Sequence, residues 1–305
     1  MNLNDVLKRL DQNKQTLDHS RPLPPASVKS LIDDFRLRFT HETTAIEGNT
    51  LTLRETQAVL EEGITVHGKS LREHLEVINS NESLDYLETA IKNNEPVTER
   101  LIMRFHEILM KGILKEEAGM YRRIPVFIKG ARHVPPNWVK VPKLMSEFEI
   151  WLRESRGLHP VVLAAKAHIK LARIHPFEDG NGRTCRLLVN YILMKNGYPP
   201  ALFSSEKRDS YMKALDAVDV EGEESFIQVT LEATEWTMNR YLHLVAETAS
   251  QPDEEETIES QIVHNRITSV TSGAKCSSRC KKSKAPVSKC RCSCGGKHHG
   301  SENHA

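Results

Sequence analysis

RIHPFEDGNGRTCRLLVN, from Arg173 to Asn190, joins two apolar runs through a segment that cannot itself be helical. Pro176 halts the run VVLAAKAHIKLARI, and Gly180 and Gly182 delay the restart in TCRLLVNYILMKNGY. The joint nevertheless carries His175, two carboxylates, Asn181 and two arginines. A DGNG turn can present successive backbone N–H groups, and with the following helix N-terminus these make an anion cradle. Arg183 and Arg186, on adjacent turns of that helix, can reach the same place. Asp179 can hold a divalent cation, and His175 can exchange a proton near neutral pH. The combination suits a nucleotide polyphosphate: amides and arginines neutralise phosphates while an imidazole activates the attacking group. A helix cap or a solvated charged loop uses the same residue types singly; the full set in one joint favours the cradle.

Outward from this joint the pattern is mostly helical. VKSLIDDFRLRFTHET and the stretches Leu71 to Lys92, Thr98 to Met110, Val141 to Arg153, Pro160 to Arg173, Thr184 to Lys195 and Ser225 to Val245 all show helical spacing of apolar residues. RRIPVFIKG is the best extended candidate, and its bounding prolines fit a projecting β-hairpin. An all-α fold with one short hairpin follows. Residues 1–38 are expected to form an N-terminal helical extension and residues 39–250 the main domain.

The charge is split. The chain of 305 residues has a formal net charge of +1, yet Ile262 onward carries nine Lys or Arg against Glu302 alone, so the body before it is acidic. Such a body offers no specific nucleic-acid groove, whereas the tail could hold a polyanion unspecifically. Five of the six cysteines lie in that tail, so the main domain, with Cys185 alone, is not a disulfide framework. Residues 251–305 read as a flexible basic tail in which Cys276, Cys280, Cys290, Cys292, Cys294, His298 and His299 could hold Zn²⁺ or Cu(I), although their spacing departs from paired CxxC. No apolar run approaches the roughly 20 residues of a membrane span. The expectation is a cytoplasmic protein with no membrane contact.

HPFEDGNGRTCR resembles the signature of the Fic family, HPFx[DE]GNGRxxR. The likeness extends from Phe39 to about Leu244, and the segments THETTAIEGNTLTL, HGKSLREHLEVIN and ARHVPP are similar to the FicD type of the animal endoplasmic reticulum. The resemblance implies a Fic fold with a hairpin flap over the active site, transferring AMP from ATP to a Ser, Thr or Tyr hydroxyl of a protein, and to itself. It implies that His175 is the general base and that Asp179 ligates Mg²⁺, with Mn²⁺ as a substitute. Phe177 would anchor the loop; Gly180, Asn181 and Gly182 would form the anion nest; Arg183 and Arg186 would grip phosphates.

By residue type TTAIEGN is a short capped turn or helix, with Thr43 at its start, Ile46 inward and Gly48 ending it. The family pattern [ST]xxxE[GN] makes residues 43–48 an inhibitory motif, in which Glu47 would pair with Arg186 and take it from ATP. In FicD-type relatives the same glutamate supports removal of AMP by positioning water. SSEKRDSYMKALDAVD resembles the stretch that closes around adenosine; Tyr211 matches a family tyrosine, whereas Met212 and Asp219 stand where a tyrosine and an asparagine are expected. The resemblance further implies target docking on the flap near Val126 to Ile128, and a homodimer. Transfer of another group, UMP or phosphocholine, is the alternative within enzymes, and a noncatalytic peptide-binding module the alternative outside them.

Overall fold

Local chemistry sets the helix ends in the computed structural model, which describes residues 3–128 and 131–250. Helix α1, Leu3–His19, turns Val6, Leu10 and Leu17 into the core. Helix α2, Pro25–Ala45, begins on a proline, whose missing N–H is no loss in a first turn. Helices α3, Leu53–Gln57, and α4, Leu71–Lys92, each start with a capping box, Thr52 with Glu55 and Ser70 with Glu73. A π-helical turn, Ala58–Glu62, prolongs α3. Helix α5, Glu99–Leu109, is capped by Thr98, and α6 spans Val141–Glu154. Helix α7, Pro160–Ile174, ends at the left-handed His175, and α8, Asn181–Lys195, starts after the left-handed Gly180. Helices α9, Arg208–Glu221, and α10, Glu224–Ser250, complete the order.

Helix α8 is the axis of the core. From Arg183 to Leu193 every one of its side chains is buried, the mark of a helix surrounded by others. One face, Cys185, Leu188, Val189 and Ile192, joins a cluster built with α1, α6, α7, α9 and α10. The other, Leu187 and Tyr191, packs with Phe35 and Phe39 of α2, Leu84 and Leu87 of α4, and Phe105 of α5. Each fully buried aliphatic here contributes roughly 1.5–3 kcal/mol. Leu188→Ala would cost about 2–5 kcal/mol through the cavity it leaves. This packing brings the C-terminal ends of α2 and α7 to the N-terminus of α8.

Several expectations are refined. Helix α2 runs unbroken across residues 38 and 39, and α1 shares the core of α7 and α8. Thr43 starts no helix; it lies buried in the last turn of α2, while Gly48 does end that turn at φ 103°. No strand of the expected hairpin is present among the described residues, where 121–128 runs as irregular chain; residues 129 and 130 of that stretch lie outside them. In this stretch the Arg122 N–H donates to the distant Pro176 carbonyl at 2.8 Å, and Pro125 has no N–H to give a ladder.

The chain divides into two compact units, Met1–Val245 and Ala246–Ala305. In the second, the described residues comprise only the end of α10, so the expected metal ligands of the tail lie outside them. Among the described residues no helix is long and apolar enough to cross a membrane.

Candidate active site

The loop between α7 and α8 is held by its own side chains. Asn181 accepts from the Phe177 N–H at 3.0 Å and donates to the Phe177 carbonyl at 2.9 Å, closing the turn on itself. Asn181 is thus a clamp of the nest. Phe177 is fully buried, and the Gly180 N–H donates to Asp179 at 2.6 Å. Gly180 sits at φ 73°, where a Cβ would lie 2.6 Å from Met110 Sδ. The first ladder bond of α8 is Thr184 N–H to the Gly180 carbonyl at 3.0 Å, so the N–H groups of Asn181, Gly182 and Arg183 precede the ladder and face the mouth of the turn.

His175 stands above them with φ 49°, a conformation uncommon outside glycine. Its Nδ1 lies 3.2 Å from the Ala172 carbonyl, so Nδ1 carries the proton and Nε2 keeps its lone pair. Burial pushes the imidazole below its usual value, and the Arg122 charge adds to this. The ring is therefore neutral at pH 7, with Nε2 able to accept a proton.

The two remote segments of the motif meet here. Arg186, 1% exposed, donates through Nε to Thr43 Oγ1 at 2.8 Å and through Nη2 to the Thr43 carbonyl at 2.8 Å and to Glu47 Oε1 at 2.7 Å. Nη1 donates to Tyr211 Oη at 3.3 Å. Burial works against the charged guanidinium, but Glu47 and Tyr211 together raise its pKa. Glu47 also lies over Gly182, where any Cβ would run into its carboxylate.

Arg183, 2% exposed, is different: Nε and Nη1 are buried with no hydrogen-bond partner. The nearest carboxylates are Glu76 at 3.5 Å and Asp179 at 3.7 Å. Buried donors without partners are costly, and here they lie beside the open N–H groups of α8. Asp179 pairs also with Arg72. Burial alone would raise Asp179, but Arg183, the Gly180 N–H and Arg72 together hold it below its ordinary value. Among the described residues no group of three or more His, Cys, Asp or Glu could hold an ion unaided. A single carboxylate fits Mg²⁺, which takes one or two protein carboxylates and completes its shell with phosphates and water.

A cavity of about 120 Å³ opens over this loop, lined by Glu47, His175, Gly182, Arg186, Tyr211 and Met212 among others. Ordinary ligand pockets run to roughly 300–1,000 Å³. Tyr211 is buried against Arg186 and donates to His168 Nε2 at 2.7 Å. Asp219 does not line the cavity; it pairs with Arg173, and Asp216, three residues earlier on α9, takes the position at the wall.

Four supporting residues were not legible in the motif. His106 accepts the Gly119 N–H at 2.9 Å and donates to the Asp179 carbonyl at 2.9 Å. Arg72 and Glu76 bracket the acidic side of the loop. Arg122 donates through Nε to the His175 carbonyl at 2.8 Å. Their signal was weak because folding alone brings them to the loop; only the buried type of His106 on an otherwise apolar helical face hinted at it.

Fold and site together define a helical domain in which an open helix N-terminus lies between a neutral histidine and two buried arginines, an arrangement that can cradle an anion. Residues 96–193 match the Fic/DOC family. The chain is 37% identical over 241 residues to the protein adenylyltransferase Fic of Nematostella vectensis, covering 78% of this chain and 56% of that one. It is 34% identical over 243 residues to the protein of the same name from Culex quinquefasciatus, covering 79% and 48%. The chain thus spans about half the length of the curated relatives it matches. Its structure is similar to a Fic domain containing signaling protein from Bacteroides thetaiotaomicron, with TM-score 0.73, 28% identity and coverage of 79% and 97%. The Fic-1 protein of C. elegans gives TM-score 0.73, 29% identity and coverage of 81% and 73%. The chain belongs to the Fic/DOC family.

Proposed function

We propose that this chain is a protein adenylyltransferase restrained by Glu47. The observation that carries the reading is the Arg186 guanidinium, whose Nη2 is given to Glu47 at 2.7 Å at the end of an anion cradle that is otherwise complete. The names of the relatives support AMP as the transferred group.

In the reaction His175 Nε2 takes the proton of a target hydroxyl, whose oxygen bonds to the α-phosphorus of ATP. The bond from that phosphorus to its bridging oxygen breaks, and pyrophosphate leaves with the electron pair. The N–H groups of Asn181, Gly182 and Arg183, with the free nitrogens of Arg183, hold the phosphates in line. A Mg²⁺ held by Asp179 would neutralise charge on those phosphates. Arg186 completes the cradle only when released, so the wild type transfers slowly, to itself as well as to its target.

The target segment lies along 124–128, where Ile124 is 49% and Phe127 82% exposed; two such apolar side chains, on a stretch that Arg122 ties to the His175 carbonyl, suit an extended peptide. The same glutamate, freed, would position water for removal of AMP, and the family resemblance supports a homodimer acting in the cytoplasm. Incubation with each nucleoside triphosphate and with CDP-choline, read by intact mass, tests the reading. An increment of one AMP from ATP is expected, and an increment of UMP or phosphocholine in its place would overturn it.

A further inference from the structure

Arg122 is only 2% exposed, and no ion-pair partner meets it among the described residues. Burying a cation without a counter-ion is costly unless its hydrogen bonds are met. Here backbone carbonyls meet them. Nε donates to the His175 carbonyl at 2.8 Å, Nη1 to Ile124 at 3.0 Å, and Nη2 to Pro136 at 2.5 Å. The backbone N–H of the same residue donates to Pro176 at 2.8 Å.

The identity of these carbonyls is informative. His175 and Pro176 form the turn that ends α7 and aims the imidazole, and the first of them holds the left-handed φ of 49°. Ile124 and Pro136 are the two roots of the segment that presents Phe127, 82% exposed, and Val134, 66% exposed. One planar fork therefore grips both roots of the segment and the backbone of the histidine at once. An ammonium could not reproduce this, because it offers a point charge with no fixed fork. A buried neutral side chain would satisfy fewer of the carbonyls.

We propose that Arg122 is a positioning residue, which couples the stretches 124–128 and 131–136 to the backbone that orients His175. The inference rests on the reading of His175 as the base and of this segment as the place where a target polypeptide lies. Displacing a root of the segment shifts the guanidinium and, through Nε, the turn that carries the imidazole.

The test uses the full chain carrying Glu47→Gly, alone and with Arg122→Lys or Arg122→Gln. ATP affinity, the rate of self-labelling at saturating ATP, and the rate of trypsin cleavage after the exposed Arg123 and Arg132 are measured on each folded protein. Both variants are expected to lower the labelling rate at least tenfold with ATP affinity within twofold, and to speed cleavage at least fivefold. Lysine should not rescue glutamine. Should the glutamine variant lack a melting transition, the lysine variant decides alone. Labelling and cleavage by Arg122→Lys at the level of the parent would overturn the proposal, as would a fall in ATP affinity equal to the fall in rate. If the parent itself does not label, the transferase reading fails, and cleavage then decides whether Arg122 holds the segment: parental cleavage overturns the coupling.

Discussion

His106 and Phe177 stack face to face, with ring centroids 3.7 Å apart and planes 3° apart. The imidazole thereby supports the HPFEDG loop from beneath while its two nitrogens bind Gly119 and the Asp179 carbonyl. A neutral ring is required, because Nδ1 must accept. Burial supplies the neutrality, pushing the group from 6.5 down to about 4.

Between these values the unfolded chain binds a proton that the folded chain does not. The stability owed to neutral His106 is therefore full above pH 6.5, and it falls as pH drops from 6.5 towards 4. The gap corresponds to roughly 3 kcal/mol at most. His106→Gln should remove one proton from the pH slope of unfolding in that window, leaving the shares of His168 and His175, which burial also shifts down. Urea unfolding at pH 5 and pH 7 measures it; an unchanged slope would mean that His106 is protonated in the fold.

Arg183→Met tests the orphaned donors. It deletes buried nitrogens that lack hydrogen-bond partners, and Glu76 and Asp179, which Arg183 meets only at ion-pair distance, each keep Arg72. The melting temperature should hold within a few degrees or rise, while ATP affinity falls at least tenfold, about 1.4 kcal/mol. A destabilised variant that binds ATP normally would contradict the assignment of Arg183 to phosphate.

Tyr211→Phe should destabilise with little change in shape. It removes the acceptor of Arg186 Nη1 and the donor to His168 Nε2, whose Nδ1 already has no partner. The expected cost is about 1–3 kcal/mol, read as a fall in melting temperature of roughly 2–4 °C per kcal/mol. The ring's contacts with Phe203 and Phe226 persist, so a larger loss would point to repacking.

Much of the fold was legible where punctuation is local. Ser70 with Glu73, Thr98, Pro160 and Gly180 mark ends that the structure keeps within a few residues. Helix α1 is expected only as part of an extension outside the main domain, because its buried stripe of Val6, Leu10 and Leu17 is too narrow to mark it as a core element. Alternation in RRIPVFIKG suggested strands, but period alone cannot register that Arg122 binds the loop. The site shows the same division. His175, Asp179, Asn181, Arg183 and Arg186 are close in sequence, and their types state the chemistry. Asp219 lies one turn of α9 beyond Asp216 at the cavity wall, and its pairing with Arg173 depends on how α9 lies against α7, which no local pattern records. His106, Glu76 and Arg72 had no local pattern to betray them.

His175→Ala should abolish labelling and leave ATP affinity within twofold, because the imidazole contacts the hydroxyl proton rather than the cradle. Its backbone bonds to Leu171 and Arg122 do not need the ring. Loss of ATP affinity in the folded variant, measured by calorimetry, would instead make His175 part of the phosphate site.

The most direct measurement is ATP-dependent labelling of Glu47→Gly against the wild type across a Mg²⁺ titration. Releasing Arg186 from its 2.7 Å contact should raise labelling at least tenfold, a relief of about 1.4 kcal/mol in the transition state. Adding Arg186→Ala should abolish most of that gain, since the freed group is then absent. Labelling of Glu47→Gly at the wild-type level at every Mg²⁺ concentration would contradict the account.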